Sequence, residues 1–175
     1  MIIFWLVSGI VVIIFLVTAL TGAPYVPTHK KQADEVFLEL RPVSDDDSVL
    51  DIGSGDGVVM RSALEAGAGR AVGYEINPIL VFLSWLRLLS YGKKASIELK
   101  NFWSSPFPDD TTVVYTFGES RDILKMYKRV QQEAIRLNRS IDFVSYAFEV
   151  PGELYHDRNR SHFLYKINTL QLNKA

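Results

Sequence analysis

Cysteine is absent from the 175-residue chain. That excludes disulfides and thiolate chemistry, and it is compatible with a reducing compartment. Histidine is scarce: His29, His156 and His162 have no ligand-like spacing with each other or with acids, so no metal is expected. An excess of charge of either sign is missing as well. The 19 Lys and Arg residues nearly balance 20 Asp and Glu, and a net charge of −1 gives no global field that would draw the chain to nucleic acid. Internal repeats and low-complexity segments are also lacking. What is present, 48% hydrophobic and 22% charged residues, is the composition of one well-cored domain.

Glycine, by contrast, is concentrated at one place. The stretch VLDIGSGDGVV (residues 49–59) puts Gly53, Gly55 and Gly57 at alternate positions behind an apolar run that contains Asp51. Glycine is needed where φ is positive or where backbone approaches another group closely. The pattern therefore predicts a tight turn from a buried strand into a helix, a turn that presents backbone N–H groups and a positive helix end to a ligand. It is not a P-loop, which would end in Gly-Lys-Ser/Thr. Nor is it the dinucleotide fingerprint, which would need glycine where Val58 stands.

A second apolar run, GRAVGYEINP (residues 69–78), ends in Glu75, 22 residues after Gly53. That separation is one strand–helix–strand unit, and it places a carboxylate at the tip of the neighbouring strand, where it can accept hydrogen bonds from the hydroxyls of a ribose. Asn77 and Pro78 then suit the N-cap and first turn of a helix. Further strands are expected at ASIELK, TTVVYTF, SIDFVSYAFEV and SHFLYKI. An amphipathic helix is expected over residues 119–139, with Ile123, Leu124, Tyr127, Val130, Ala134 and Leu137 on its apolar face. Lys125, Lys128, Arg129, Arg136 and Arg139 of that helix suit either a solvated face or anionic lipid. Alternating strands and helices predict an α/β fold with a doubly wound, mostly parallel sheet, ligand lying outside the strand carboxyl ends.

The amino terminus differs from the rest. Residues 1–21 carry no charged side chain, and a helix of that length is roughly 30 Å long, the thickness of a bilayer's hydrocarbon core. A cleaved signal peptide would want a positive start and a shorter apolar stretch. The expectation is a transmembrane helix in contact with the lipid bilayer. Because Lys30 and Lys31 follow it and no Lys or Arg precedes it, the remainder is expected on the cytoplasmic side of the membrane as a single-pass protein. Residues 22–42 then form a linker and docking helix: Pro24 and Pro27 hold the start extended, Thr28 can cap the helix, Ala33, Val36, Phe37 and Leu40 follow helical spacing, and Pro42 ends it. The main domain is expected over residues 43–175.

Taken together, PYVPT followed by a helix, VLDIGSGDG and AVGYEINP resemble the family of membrane-anchored protein-lysine methyltransferases, a branch of the class I Rossmann-like methyltransferases that use S-adenosylmethionine. The resemblance covers roughly residues 24–151. It implies that Asp51, Gly53, Ser54, Gly55, Asp56, Gly57, Glu75 and the adjacent Ile76 hold S-adenosylmethionine, with Tyr25 and Thr28 of PYVPT in a lid over it. It also implies a sheet of six or seven strands whose last strand runs antiparallel, and an acceptor that is a lysine of a protein at the membrane.

The chain departs from that family at two places. After the third strand stands NFW, with Asn101 where relatives carry an acid; the Asn carbonyl can still accept from the adenine amino group, and Phe102 can lie against the ring. After the fourth strand stands GES in place of a proline-containing turn. No NPPY-type motif is present, which argues against a nucleic-acid base as acceptor. A lysine amine must lose its proton to act as nucleophile, which favours an apolar, aromatic-lined pocket. Tyr25, Trp103 and Glu119 are the candidates near the acceptor, and each also has a structural reading: packing for the first two, a helix N-terminal acid for the third. A methyltransferase acting on a lipid or small molecule and a non-catalytic S-adenosylmethionine-binding domain remain as alternatives.

Overall fold

The run SVLDI forms β1 (Ser48–Ile52), and all five of its residues are buried because helices cover both faces of the strand. A computed structural model describes residues 1–21, 29–118 and 120–169, with the side chains of the first helix described for residues 1–10, 12 and 13. The remaining strands are β2 (Arg70–Glu75), β3 (Ala95–Leu99), β4 (Val113–Thr116), β5 (Ile141–Tyr146), β6 (Asp157–Asn159) and β7 (His162–Ile167). Among the described residues they form one seven-stranded sheet in the order β3-β2-β1-β4-β5-β7-β6. The first five strands are parallel, and β7 runs antiparallel to β5. The expected sheet is thus a mixed one of seven strands. The strand that the sequence hid is β6, three exposed or half-buried residues paired antiparallel with β7 across a turn in which Arg160 has φ 51°.

Helix α1 spans Ile2–Thr21, α2 Lys30–Glu35, α3 Val58–Glu65, α4 Pro78–Leu88 and α5 Ile123–Leu137. One sheet face is covered by α2, which runs on into a π-helical turn (Val36–Leu40), and by α3. Ala33, Val36, Phe37 and Leu40 are buried there against Val49, Val113, Tyr115 and Val144 of the sheet. The other face is covered by α5, whose Ile123, Met126, Tyr127 and Val130 meet Leu50, Ile52, Val72, Val114 and Phe143. The doubly wound arrangement follows from this apolar patterning. The cap of α2 is displaced from expectation: His29 is the N-cap residue and makes no side-chain cap bond, while Thr28 lies outside the described residues.

Two further expectations are corrected. Among the described residues no helix is long and apolar enough to cross a membrane. The described side chains of α1 end at Ile13, roughly 18 Å of helix against the roughly 30 Å of a hydrocarbon core. The transmembrane helix at residues 1–21, its bilayer contact and the single-pass membrane placement with a cytoplasmic domain are therefore withdrawn. The basic residues of α5 are neither lipid-facing nor merely solvated. Arg129 and Arg136 both pair with Glu133, which is 2% exposed, and donate to the backbone carbonyls of Ser105 and Phe107. Arg139 donates to the carbonyl of Asp110, and the Lys125 ammonium lies 4.4 Å from the Trp103 ring centre. The basic side of α5 thus fastens the segment between β3 and β4.

The amino end of the sheet is closed by an ion-pair cluster. Arg41 pairs with Asp142 at 2.6 Å and with Asp47 at 2.8 Å, and Asp47 also accepts from the Ser44 backbone and the Thr112 hydroxyl. The carboxyl end is built differently.

Candidate active site

The chain leaves β1 through three left-handed glycines, Gly53 at φ 77°, Gly55 at 54° and Gly57 at 79°, conformations that cost any other residue strain. The N–H groups of Gly53 and Ser54 both donate to the Tyr74 carbonyl, at 2.9 and 3.1 Å, which ties the turn to β2. The turn is closed at one end and open at the other. A Cβ at Gly57 would stand 2.3 Å from Ser84 Oγ of α4, whereas a Cβ at Gly53 would meet nothing within 4 Å. Arg87 of α4 fixes the loop from outside, pairing with the Asp56 carboxylate at 2.6 Å and donating to its carbonyl at 3.0 Å.

Glu75, at the tip of β2 and 8% exposed, organises the centre. Its Oε2 accepts from Gly55 N–H at 2.9 Å, and its Oε1 accepts from the N–H groups of Ile76 and Asn77, both at 2.8 Å. A carboxylate offers about four acceptor positions, so roughly one remains for a ligand. Asn77 then caps α4 by accepting from Ile79 N–H at 2.9 Å, with Pro78 opening the helix as the sequence predicts.

Beneath the turn, Asp51 is 2% exposed and sits between Gly73 of β2 and Tyr115 of β4. Among the described residues its Oδ2 and the Ser54 hydroxyl are buried without a hydrogen-bond partner. Burial pushes the Asp51 carboxyl well above the usual carboxylate range, and the nearby charges of Glu75 and Asp56 push the same way. A buried acid kept without a partner is costly. Together with open space over Gly53 and one free position on Glu75, this makes a cradle that suits a ligand bearing hydroxyls and positive charge.

The same architecture is found in solved structures. An RNA methyltransferase from Salinibacter ruber in complex with S-adenosyl-L-homocysteine superposes with a TM-score of 0.72 at 24% identity, covering 82% of this chain and 94% of that one. No family model matches the chain. Among curated proteins, the human lysine N-methyltransferase of the ATP synthase c-ring protein is 36% identical over 112 residues, 63% of this chain and 46% of the relative. The protein-lysine N-methyltransferase of Saccharolobus islandicus (strain REY15A) is 32% identical over 133 residues, 74% of this chain and 79% of the relative. The chain belongs to the protein-lysine N-methyltransferase family. It spans about half the length of the vertebrate ATP synthase-directed relatives.

Within this methyltransferase, the structure brings Asp51, Gly53, Ser54, Gly55, Asp56, Gly57, Glu75 and Ile76 into one place at the carboxyl edge of β1 and β2. Asn101 stands apart in role. It is exposed, and its Oδ1 accepts from Trp103 N–H at 3.0 Å, capping its own turn, so one of its two lone pairs is engaged. Phe102 and Trp103 are half-buried, with ring centres 4.3 Å apart, against the core that α5 covers. Tyr25, Thr28 and Glu119 lie outside the described residues.

Two features escaped the sequence reading. Leu99 is in register with Glu75 across β2 and β3 and is 59% exposed, an apolar ledge beside the acid; comparing the ends of the two predicted strands could have found it. Gln32 of α2 accepts a hydrogen bond from the Tyr146 hydroxyl at 3.1 Å, across 114 positions of sequence, and no local signal announces it.

Proposed function

We propose that the methyltransferase uses S-adenosylmethionine to methylate the side-chain amine of a lysine in a protein. The observation that carries the cofactor reading is the glycine turn closed over Glu75, with the buried and unpartnered Asp51 carboxylate below it. S-adenosylmethionine bears ribose hydroxyls, an ammonium and a sulfonium, which match the free position on Glu75 and the acidic floor made by Asp51. Gly53 leaves the space, Ile76 and Leu99 offer apolar surface for the adenine, and Phe102 and Asn101 follow on the next strand end. When bound, the cofactor supplies an electrophilic methyl carbon; the residues of this chain bind it, orient it and keep water from it.

Isothermal titration with S-adenosylmethionine tests this reading. The parent protein binds, and Gly55→Val, which forces a β-branched residue into a left-handed conformation and disturbs the N–H that Glu75 holds, abolishes binding while the far-ultraviolet circular dichroism is kept. A variant that bound as tightly as the parent would overturn it. The names of the relatives, which include a mouse adenine nucleotide translocase lysine N-methyltransferase 35% identical over 88 residues, support lysine as the acceptor. The finer reading, a membrane-associated protein acceptor, rests on the family resemblance. A methyl-lysine survey of membrane and soluble fractions from parent and deletion cells tests both. Label lost from lysines of membrane proteins on deletion is expected; label confined to lipid or small molecules would sink the lysine reading.

A further inference from the structure

Between β4, β5 and β7 the carboxyl edge of the sheet continues past the cofactor cradle. Ile52 pairs with Thr116, and Thr116 with Ser145. The next residues along, Gly53, Phe117 and Tyr146, therefore make a row across that edge, roughly 5 Å apart from strand to strand. They follow the alternation that puts Asp51 and Tyr115 on the α2 side of the sheet. The Phe117 and Tyr146 rings meet edge to face at 4.5 Å, and the His162 ring lies 4.7 Å beyond Tyr146. His162 is 3% exposed and its Nε2 is 3.3 Å from the Tyr115 hydroxyl. Tyr146 itself is only half-buried, unlike Tyr115 and Tyr165, each 1% exposed.

We propose that Tyr146, held by Gln32, seats the acceptor lysine side chain against Phe117 at the open, Gly53 end of this row. The inference rests on the methyltransferase reading above and assigns it an acceptor residue. The physical argument has three parts. A lysine's methylene chain packs well on aromatic rings, and Phe117 with Tyr146 forms such a wall at the sheet edge. The Tyr146 hydroxyl gives its proton to Gln32 Oε1, so its oxygen is left with lone pairs that accept from an amine N–H. The hydrogen bonds and ring contacts of Phe117, Tyr146 and His162 are made with rings, a tyrosine hydroxyl and the Gln32 amide; such surroundings favour the neutral amine, the nucleophilic form. Gln32 also links this wall to α2, so that the helix and β5 hold the tyrosine from two sides.

Titration calorimetry with two ligands tests the proposal: S-adenosylhomocysteine, and a bisubstrate analogue in which the same thioether sulfur is replaced by a centre carrying an aminobutyl arm, the lysine side chain. The parent is expected to bind the analogue at least tenfold more tightly than S-adenosylhomocysteine. Tyr146→Phe, which keeps the ring, is expected to lose most of that advantage while its affinity for S-adenosylhomocysteine stays within twofold of the parent. Gln32→Leu should lose less. An unchanged S-adenosylhomocysteine affinity also shows that each variant folds. If the parent binds S-adenosylhomocysteine but gains nothing from the arm, or if Tyr146→Phe keeps the full advantage, the proposal is overturned. If the parent binds neither ligand, the cofactor reading itself has failed, which is a different result.

Discussion

Asp47 and Asp51 stand at opposite ends of β1, four residues apart, and both are nearly buried, at 8% and 2% exposure. Their surroundings are opposite. Burial raises the Asp47 carboxyl, but the hydrogen bonds from Arg41, Ser44 N–H and Thr112 outweigh it, and the group ends below its ordinary range. Asp51 has burial and two neighbouring carboxylates, all raising it, and no partner on Oδ2 among the described residues. Where the sheet must be held together, the acid is neutralised inside the chain. Where a ligand is to arrive, the acid is left for the ligand to satisfy, and the fold carries that cost.

The comparison breaks first at the amino end. Asp47→Ala removes the acceptor of Arg41, Ser44 and Thr112 and should lower stability by about 2–4 kcal/mol, the scale for leaving a largely buried partner uncompensated. Urea denaturation measures it, and a loss below about 1 kcal/mol would mean that the cluster does not clamp the sheet.

Acid titration probes the carboxyl end. Burial pushes His162 down to about 4, while an unfolded histidine titrates near ~6.5. Its folded form thus binds protons less readily than the unfolded one. The stability it contributes is full above about pH 6.5 and is lost as pH falls through about 4, by up to about 3 kcal/mol. His162→Gln, which can still meet the Tyr115 hydroxyl, should flatten that part of the stability curve; an unaltered curve would show that His162 does not stay neutral in the folded state.

The cradle itself is tested by Glu75→Gln. One of the two carboxylate oxygens becomes an amide nitrogen that cannot accept, and S-adenosylmethionine binding should weaken by about 1.5–3 kcal/mol, the scale of hydrogen bonds to a charged group. An affinity within about twofold of the parent would reduce Glu75 to a structural acid serving only Gly55, Ile76 and Asn77.

The smallest effect sharpens the contrast most. Because the folded pKa of Asp51 is raised, the folded state binds its proton more tightly, and stability falls as pH rises from the unfolded pKa towards the folded one. Asp47 has the reverse sign: its contribution is present above the unfolded pKa and is lost as pH falls through the folded one. Asp51→Asn should therefore raise stability near neutral pH by about 1 kcal/mol while weakening cofactor binding, and Asp47→Asn should lower stability there. Thermal unfolding at several pH values would expose the idea as wrong if both variants moved in the same direction.

Much of the site was legible because it is local. Alternate glycines after an apolar strand require left-handed backbone wherever the rest of the chain lies, and the length of one strand–helix–strand unit brings Glu75 to the neighbouring tip. Asn77 and Pro78 open α4 by the same local rules, and the apolar spacing of α2 and α5 marked their buried faces. Other features were not local. The three residues of β6 carry no apolar alternation, since an edge strand needs only β7 as partner. The expected membrane span was a hydropathy reading, and the described helices do not meet it. The arginines of α5 looked like a solvated or lipid-facing side until Glu133 and the carbonyls of Ser105 and Phe107 met them.

By itself, the sequence determined the glycine turn, the acid at the tip of the second strand and the order of strands and helices, because backbone conformation and periodicity are properties of short segments. Only the tertiary structure decided which buried carboxylate is paired and which is left open, since the partners of Asp47 come from Arg41 and Thr112 and the neighbours of Asp51 from other strands. It likewise decided that Gln32 should meet Tyr146 across 114 positions. Hydrogen bonds and ion pairs act over a few ångströms of space, whatever the distance along the chain, and only folding sets which groups come that close.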